Sequence, residues 1–385
     1  MPNGAVPVRQ LLPRIMTYIL INRDPNSSIY KQVAKTLLAR GSWKRAGPSS
    51  LNFNLMFGDR NNLPYNQLGQ QPGQIQLVNY YRGSSELCRK VSSFRLLRSY
   101  REQFGLEGYD FLPESYIIVP KSSHSANQPP VKDDRDSLLE RHTNSDHIWI
   151  AKISTGSKGL GIIISRNIQE LLSAIDGQGQ SHIVQRYIET PLLLPKNRKF
   201  DIRVWVLLDQ QYNVYIYREG VVRTCSDAYD PHDITKLTSH LSNHCLQEQL
   251  SPNFGLYEPN NEIFFSEFDS ILTQISSGRC SLYTDILPQV DKVVSECLLA
   301  IQTKISPTGF DYQSFQLFGF DFLLDDTYKV WLLEINGAPA ASRSLRDEMA
   351  DSIIQVCIDP IFPEGANLSP EIKHNFRPLD FVRGN

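Results

Sequence analysis

From Phe318 the chain reads Phe-Gly-Phe-Asp-Phe-Leu-Leu324, passes Asp325-Asp-Thr-Tyr328 and resumes as Val330-Trp-Leu-Leu-Glu-Ile-Asn336. Two apolar strands joined by a polar turn are predicted, with Asp325 opposite Tyr328 and Asp321 opposite Leu332. Side chains alternate along a strand, so Glu334 and Asn336 share a face, and the even-length turn points Asp321 to that face too. Asp321 and Glu334 would then be diagonal neighbours, roughly 7–8 Å apart. Further upstream, residues 15–22, 53–57 and 75–80 read as extended and 28–40 as helical, which makes a small α/β domain. A helix over 84–104 carries Leu87, Val91, Phe94 and Leu97 on one stripe, with Ser84 and Ser85 as cap candidates. Beyond it, 147–153 and 182–188 read as strands, 167–176 as a helix, and 200–208 with 212–218 as a hairpin. Helices follow at 262–276, 286–305 and 343–357. Strands and helices mix without strict alternation, so the fold class is α+β.

Two segments break this pattern. Residues 121–146 are rich in Pro, Ser and Asp and read as a mobile loop at a domain boundary. Residues 229–262 form a second polar interruption. The chain shows no repeat and no heptads, and the residues after Pro363 read as a loose tail.

A length of 385 residues predicts two or three domains. The net charge of -2 gives no global field toward nucleic acid or membrane, so charge steering must be local. One such patch is the 84–104 helix, where Arg89, Lys90, Arg95, Arg98 and Arg101 are opposed only by Glu86 and Glu102. It suits an acidic partner or a plain solvated face. Six scattered cysteines have neither Cys-x-x-Cys nor zinc spacing and read as reduced thiols. The apolar run at 15–21 is too short for a membrane span, and a cytoplasmic protein is expected.

Three groups of residues carry chemistry. Asp321, Glu334 and Asn336 offer the carboxylate and amide oxygens that hard dications prefer, although acids near a turn can also be mere polar tips. The stretch Trp149-Ile-Ala-Lys-Ile-Ser-Thr-Gly-Ser-Lys-Gly-Leu-Gly-Ile162 is a strand running into a loop with Gly156, Gly159 and Gly161. Its backbone N–H groups, with Ser154 and Lys158 in the loop and Lys152 on the strand, suit phosphate oxygens. The spacing matches neither the Walker nor the dinucleotide glycine pattern, and a glycine-rich hairpin turn has the same composition. In Asn197-Arg-Lys-Phe-Asp-Ile-Arg-Val-Trp205, Lys199, Asp201 and Arg203 share one face and Phe200, Ile202 and Val204 the other. Arg203, joined by Arg223, suits a carboxylate or phosphate. An ion-pair ladder on an outer strand would look alike.

In this order these groups resemble the ATP-grasp superfamily, and within it the tubulin–tyrosine ligase and ligase-like family. The resemblance rests on Trp149-Ile-Ala-Lys152, Lys158-Gly-Leu-Gly-Ile162, Gln185-Arg-Tyr-Ile-Glu-Thr-Pro-Leu-Leu-Leu194, Arg198-Lys-Phe-Asp-Ile-Arg203 and Tyr217-Arg-Glu-Gly220. It continues through Tyr312-Gln-Ser-Phe-Gln-Leu-Phe-Gly-Phe-Asp-Phe322 and Trp331-Leu-Leu-Glu-Ile-Asn-Gly-Ala-Pro339, with Leu63-Pro-Tyr65 and Tyr80-Tyr-Arg-Gly83 near the N-terminus. It implies an ATP-grasp fold behind a small N-terminal α/β domain at 1–75. A central ATP-grasp domain at 76–190, a C-terminal one at 191–362 and a tail at 363–385 would follow.

The resemblance also implies roles. Lys152 and Lys199 would contact ATP phosphates beside the 154–161 loop and Asp201. Gln185, Arg186, Tyr187 and Ile188 would form the strand that holds adenine. Asp321, Glu334 and Asn336 would bind Mg²⁺, while Arg203 and Arg223 stabilise an acyl phosphate. The implied activity is ATP-dependent addition of free tyrosine to the C-terminal glutamate of α-tubulin, within an αβ-tubulin dimer bound by one monomer near the cytoskeleton. Glutamylation or glycylation of tubulin, or tubulin sequestration, are the alternatives.

Overall fold

The computed structural model describes residues 17–59, 61–105, 110–121, 133–143, 145–156, 159–305, 309–363 and 374–380. The chain forms two compact units. One comprises Met1–Asn79, Gly309–Phe315 and Ala340–Asn375, the other Tyr80–Thr308, Gln316–Pro339 and Phe376–Asn385. Residues 309–315 and 340–375, which lie in the second half of the chain, belong to the first unit.

Strands are numbered along the chain. The first unit holds a five-stranded parallel sheet of β1 (Tyr18–Asn22), β2 (Trp43–Arg45), β3 (Leu55–Phe57), β4 (Leu77–Val78) and β13 (Gln313–Ser314), in the order β13-β4-β3-β1-β2. Parallel neighbours need crossover connections, and the helix Ser28–Ala39 supplies the first. Its Ser27 side chain accepts from the Tyr30 N–H, and Ile29, Tyr30, Val33, Ala34 and Leu37 form its buried stripe.

The second unit holds two sheets. A four-stranded antiparallel sheet runs in the order β5 (Ser115–Ile118), β8 (His182–Arg186), β6 (Trp149–Ile153), β7 (Ile163–Ser165). The seven-stranded sheet is built on β9 (Arg198–Leu208). On one side of β9 lies β14 (Gln316–Leu324), followed by β15 (Val330–Asn336). On its other side lie β10 (Val214–Tyr217), which pairs with β16 (Phe376–Pro378), and β11 (Val221–Ala228), which pairs with β12 (Glu262–Phe264). All of β9 is buried, so it is a central strand and the outer-strand reading does not hold. One face, Phe200, Ile202, Val204, Val206 and Leu208, packs into a core with Phe318, Phe320 and Phe322 of β14 and with Val290, Val294, Cys297 and Ile301 of the helix Leu287–Ile305. At ~25 cal/mol per Å², each buried aromatic side chain contributes up to ~3 kcal/mol. The opposite face is left for charge.

Several local expectations are corrected. The 84–104 helix is two helices, Ser85–Cys88 and Lys90–Phe104, because Arg89 is extended (φ -89°, ψ 122°). The 121–146 segment contains the helix Arg135–His142, pinned by Arg135 to Asp176 at 2.7 Å; its residues 122–132 and 144 lie outside the described residues. The 229–262 segment contains the helices Leu237–His240 and His244–Leu250. The tail is not wholly loose, since 376–378 form β16.

The β14–β15 register also differs. The Asp325 N–H bonds Lys329 O at 3.1 Å, so the turn is one residue longer than expected. That alone would set Asp321 opposite Leu333 and turn Glu334 to the other face. A bulge at Leu333 corrects the facing: Phe322 pairs with Leu332, but Asp321 pairs directly with Glu334. Leu333 and Glu334 are accordingly both half-buried, whereas Val330, Leu332 and Ile335 join the core.

Candidate active site

An open cleft within the second unit encloses about 920 Å³ of solvent-connected space. Its walls are β6 and β8 on one side and β9, β11, β14 and β15 on the other. Lys152, Gly156, Gly159, Gln185, Arg186, Tyr187, Ile188, Lys199, Asp201, Arg223, Asp321 and Glu334 all line it. Most of the residues singled out in the sequence thus converge, although they are spread over nearly two hundred positions of the chain.

Cross-strand pairing explains the charge arrangement on the floor. Arg203 of β9 is the direct partner of Asp321 of β14, and Asp201 of β9 is the direct partner of Arg223 of β11. Arg203 donates twice to Asp321, through Nη2 to Oδ2 at 2.9 Å and through Nε to Oδ1. Arg223 Nη2 spans the two acids, 2.5 Å from Asp201 Oδ1 and 2.9 Å from Asp321 Oδ2. Ser242 Oγ donates to the second oxygen of Asp201. Burial favours the neutral form of Asp321, but Arg203 and Arg223 outweigh it and hold its carboxyl well below the usual range. Asp201 is pushed up, by burial first. Arg203 and Asn336 do not line the cleft themselves; both act on Asp321, with Asn336 Nδ2 at 3.2 Å from Asp321 Oδ2 and 3.3 Å from Glu334 Oε1.

Lys152 Nζ bonds Gln185 Oε1 at 3.0 Å, and Lys199 Nζ bonds the Tyr187 hydroxyl at 2.6 Å. Burial lowers both lysines to about 8, with charge repulsion from Lys90 adding to the effect on Lys152 and from Lys152 to that on Lys199. Lys199 is buried and Lys152 half-buried, and ammonium groups in such surroundings whose bonds to the protein are to neutral oxygens favour an anionic ligand.

The glycine loop is only partly described. Gly159 and Gly161 take left-handed φ of +79° and +70°, which explains glycine there. The Ser154 carbonyl accepts from the Lys90 N–H, and Gly161 packs on Ile153 rather than lining the cleft. Lys158 lies outside the described residues.

Sequence reasoning missed several members. Lys90, read as part of a basic face for an acidic partner or for solvent, reaches into the cleft: its Nζ is 2.9 Å from Glu334 Oε2 and 2.8 Å from Gly156 O. His240, Leu241, Ser242 and Asn243 come from the segment read as a polar interruption. Arg98 is committed to Asp134 at 3.1 Å, while Arg89 and Arg95 are exposed. The break at Arg89, visible only in the structure, re-aims the following turn and Lys90 with it.

Asp321, Glu334 and Asn336 fit a hard dication. The donors are oxygens, Asp321 and Glu334 face each other directly, and Glu334 already holds a cation in the Lys90 ammonium. Among the described residues no group of three or more His, Cys, Asp or Glu could hold a metal, so ligand oxygens, with the Asn336 amide turned to present Oδ1 in place of Nδ2, would complete the shell.

The cleft thus brings Lys152 of β6 to face Lys199 of β9 and the paired Asp321 and Glu334 of β14 and β15. The chain belongs to the Tubulin-tyrosine ligase family, whose sequence profile matches residues 68–369. It is 30% identical over 228 residues to tubulin glycylase 3C of Tetrahymena thermophila, covering 56% of this chain and 21% of that protein. It is 28% identical over 267 residues to the probable tubulin polyglutamylase TTLL2 of Homo sapiens, covering 69% and 42%. Over 367 residues it is 25% identical to the tubulin polyglutamylase TTLL5 of Mus musculus, covering 90% and 26%. The chain therefore spans less than half the length of each of these relatives. No helix among the described residues is long and apolar enough to cross a membrane.

Proposed function

We propose that this chain is an ATP-dependent ligase that joins an amino acid to a carboxylate of tubulin through an acyl phosphate. The observation that carries the reading is the convergence of Lys152, Lys199 and Arg223 with the Asp321–Glu334 pair on one cleft. ATP would lie with adenine along Gln185–Ile188 and its phosphates between Lys152, Lys199 and the glycine loop. Magnesium, when bound at Asp321, Glu334 and Asn336, would neutralise charge on the γ-phosphoryl group as it transfers. Arg223, which lines the cleft, would receive the attacking carboxylate beside that group, and Arg203 keeps Asp321 ionised and oriented. The amine then displaces phosphate. Holding both reactants in one cleft contributes ~7 kcal/mol or more.

The reaction needs no protein nucleophile. The Cys225 thiol near Lys199 is fully buried and pushed up to about 12, by burial first. Ser242 Oγ donates to Asp201, a carboxyl that burial pushes up and that is engaged by Arg223, so no general base activates the hydroxyl.

Relatives named as glycylases and polyglutamylases favour glycine or glutamate as the amino acid over tyrosine, which rests on the motif resemblance. The acceptor is the acidic tail of tubulin in the αβ dimer, drawn by exposed Arg89 and Arg95, and a single copy of the chain acts close to microtubules. The test is tubulin-dependent phosphate release from Mg-ATP with glycine, glutamate or tyrosine, comparing the native protein with Glu334→Gln. Release lost in a folded variant supports the reading; release unchanged in that variant overturns the metal assignment.

A further inference from the structure

Lys199 is the lysine that reaches the cleft from the buried strand β9, and its ammonium meets the Tyr187 hydroxyl at 2.6 Å. An ammonium can only donate, so the tyrosine oxygen accepts and its own proton must go elsewhere. His240 Nδ1 lies 2.8 Å from the same oxygen. A neutral imidazole has one accepting nitrogen, which makes Nδ1 the acceptor and Nε2 the donor. Nε2 indeed faces the Asp233 carbonyl at 2.9 Å. The Tyr229 hydroxyl, which also interacts with that of Tyr187, donates to the Glu189 carbonyl, so the bonds run from Lys199 to Tyr187, from Tyr187 to His240 and from His240 to the Asp233 carbonyl.

The surroundings fix this geometry. Tyr187 and His240 are buried, at 5% and 2% exposure. The Lys199 ammonium also sits 4.2 Å from the Tyr187 ring centroid and 5.7 Å from that of Tyr229. Tyr229 packs edge-on against His240 at 5.3 Å and spends its own proton on the Glu189 carbonyl at 2.9 Å. Burial keeps His240 below its ordinary range, consistent with a neutral acceptor.

We propose that His240 is a positioning residue for Lys199, acting through the Tyr187 hydroxyl. By accepting the hydrogen bond from the tyrosine hydroxyl it turns the oxygen lone pairs toward the ammonium. Lys199 is thereby aimed at the position of the nucleotide phosphates. The inference rests on the reading of the cleft as an ATP site and names a residue from the 229–262 segment as part of it.

The test is calorimetric titration of Mg-ATP and of adenosine into the native protein, His240→Leu, Tyr187→Phe and Lys199→Met, and into the last combined with each of the first two. Tyr187→Phe removes only the hydroxyl and serves if His240→Leu fails to fold. Loss of one buried hydrogen-bond partner should weaken Mg-ATP about tenfold. Adenosine should change by less than about twofold, and the effect should vanish in the Lys199→Met background. A loss that is equal for adenosine, or that persists without Lys199, overturns the proposal, as does native affinity in both single variants. A native protein that binds neither ligand would instead overturn the nucleotide reading of the cleft.

Discussion

Raising the pH from 7 to 9 should cost this protein most of its affinity for ATP. Lys152 and Lys199 are each lowered to about 8 in the free cleft. Phosphate oxygens favour the charged form, so a bound nucleotide raises both values and binding takes up protons. Affinity is therefore fully developed below 8 and is lost as the pH climbs through it. At pH 7 each lysine is about nine-tenths protonated and at pH 9 about one-tenth, so each costs about tenfold and the pair about 100-fold, or ~2.7 kcal/mol. The terminal phosphate, with its second ionisation near ~6, is already charged throughout this range. Titrating Mg-ATP at half-unit intervals, in buffers of different ionisation enthalpy, reads the affinity and the proton count together. At pH 8 the uptake should be about one proton, half from each lysine. Lys199→Met should leave the tenfold dependence of Lys152, and Lys152→Met a smaller one, because loss of its charge raises Lys199. An affinity that is flat from pH 7 to 9 with no proton uptake would refute the reasoning.

Asp321→Asn should cost ~3–5 kcal/mol in denaturant unfolding, because Arg203 and Arg223 lose the charge between them in a site where Asp321 is 1% exposed; a loss below ~1 kcal/mol would show the ion pairs to be dispensable. Gly220→Ala places a Cβ 2.0 Å from the Phe265 ring, itself buried, and should cost ~1–3 kcal/mol by overpacking, read as a lower unfolding midpoint. Arg89→Glu with Arg95→Glu should weaken tubulin binding in sedimentation while Mg-ATP affinity stays within about twofold, since neither residue lines the cleft; unchanged tubulin binding would remove this face from the docking surface.

The sequence was most legible where a period of two met a buried strand. Lys199, Asp201 and Arg203 could be placed on one face because Phe200, Ile202 and Val204 demanded the other, and the core of the second unit bears this out. The facing of Asp321, Glu334 and Asn336 was also legible, but for a reason the pattern did not contain. The longer turn and the bulge at Leu333 each shift the register by one residue, and the two shifts restore the facing that the simple hairpin predicted. Lys90 was hidden because a helical stripe assumes an unbroken helix, and extended Arg89 resets the direction of everything after it. His240 and Ser242 were hidden because polarity was read as exposure. Their hydroxyl and imidazole groups are instead satisfied inside, by Asp201, Tyr187 and the Asp233 carbonyl. The division into units was not legible, since β13 joins a parallel sheet begun more than two hundred residues earlier.

The account turns on amino-acid ligation to tubulin, and intact-mass analysis of purified tubulin tests it most directly. Tubulin would be incubated with the protein, Mg-ATP and, separately, glycine, glutamate or tyrosine. The account predicts an ATP-dependent mass increase matching one of these residues, with glycine or glutamate ahead of tyrosine, and no increase with Glu334→Gln. Tubulin of unchanged mass in all three incubations would contradict it.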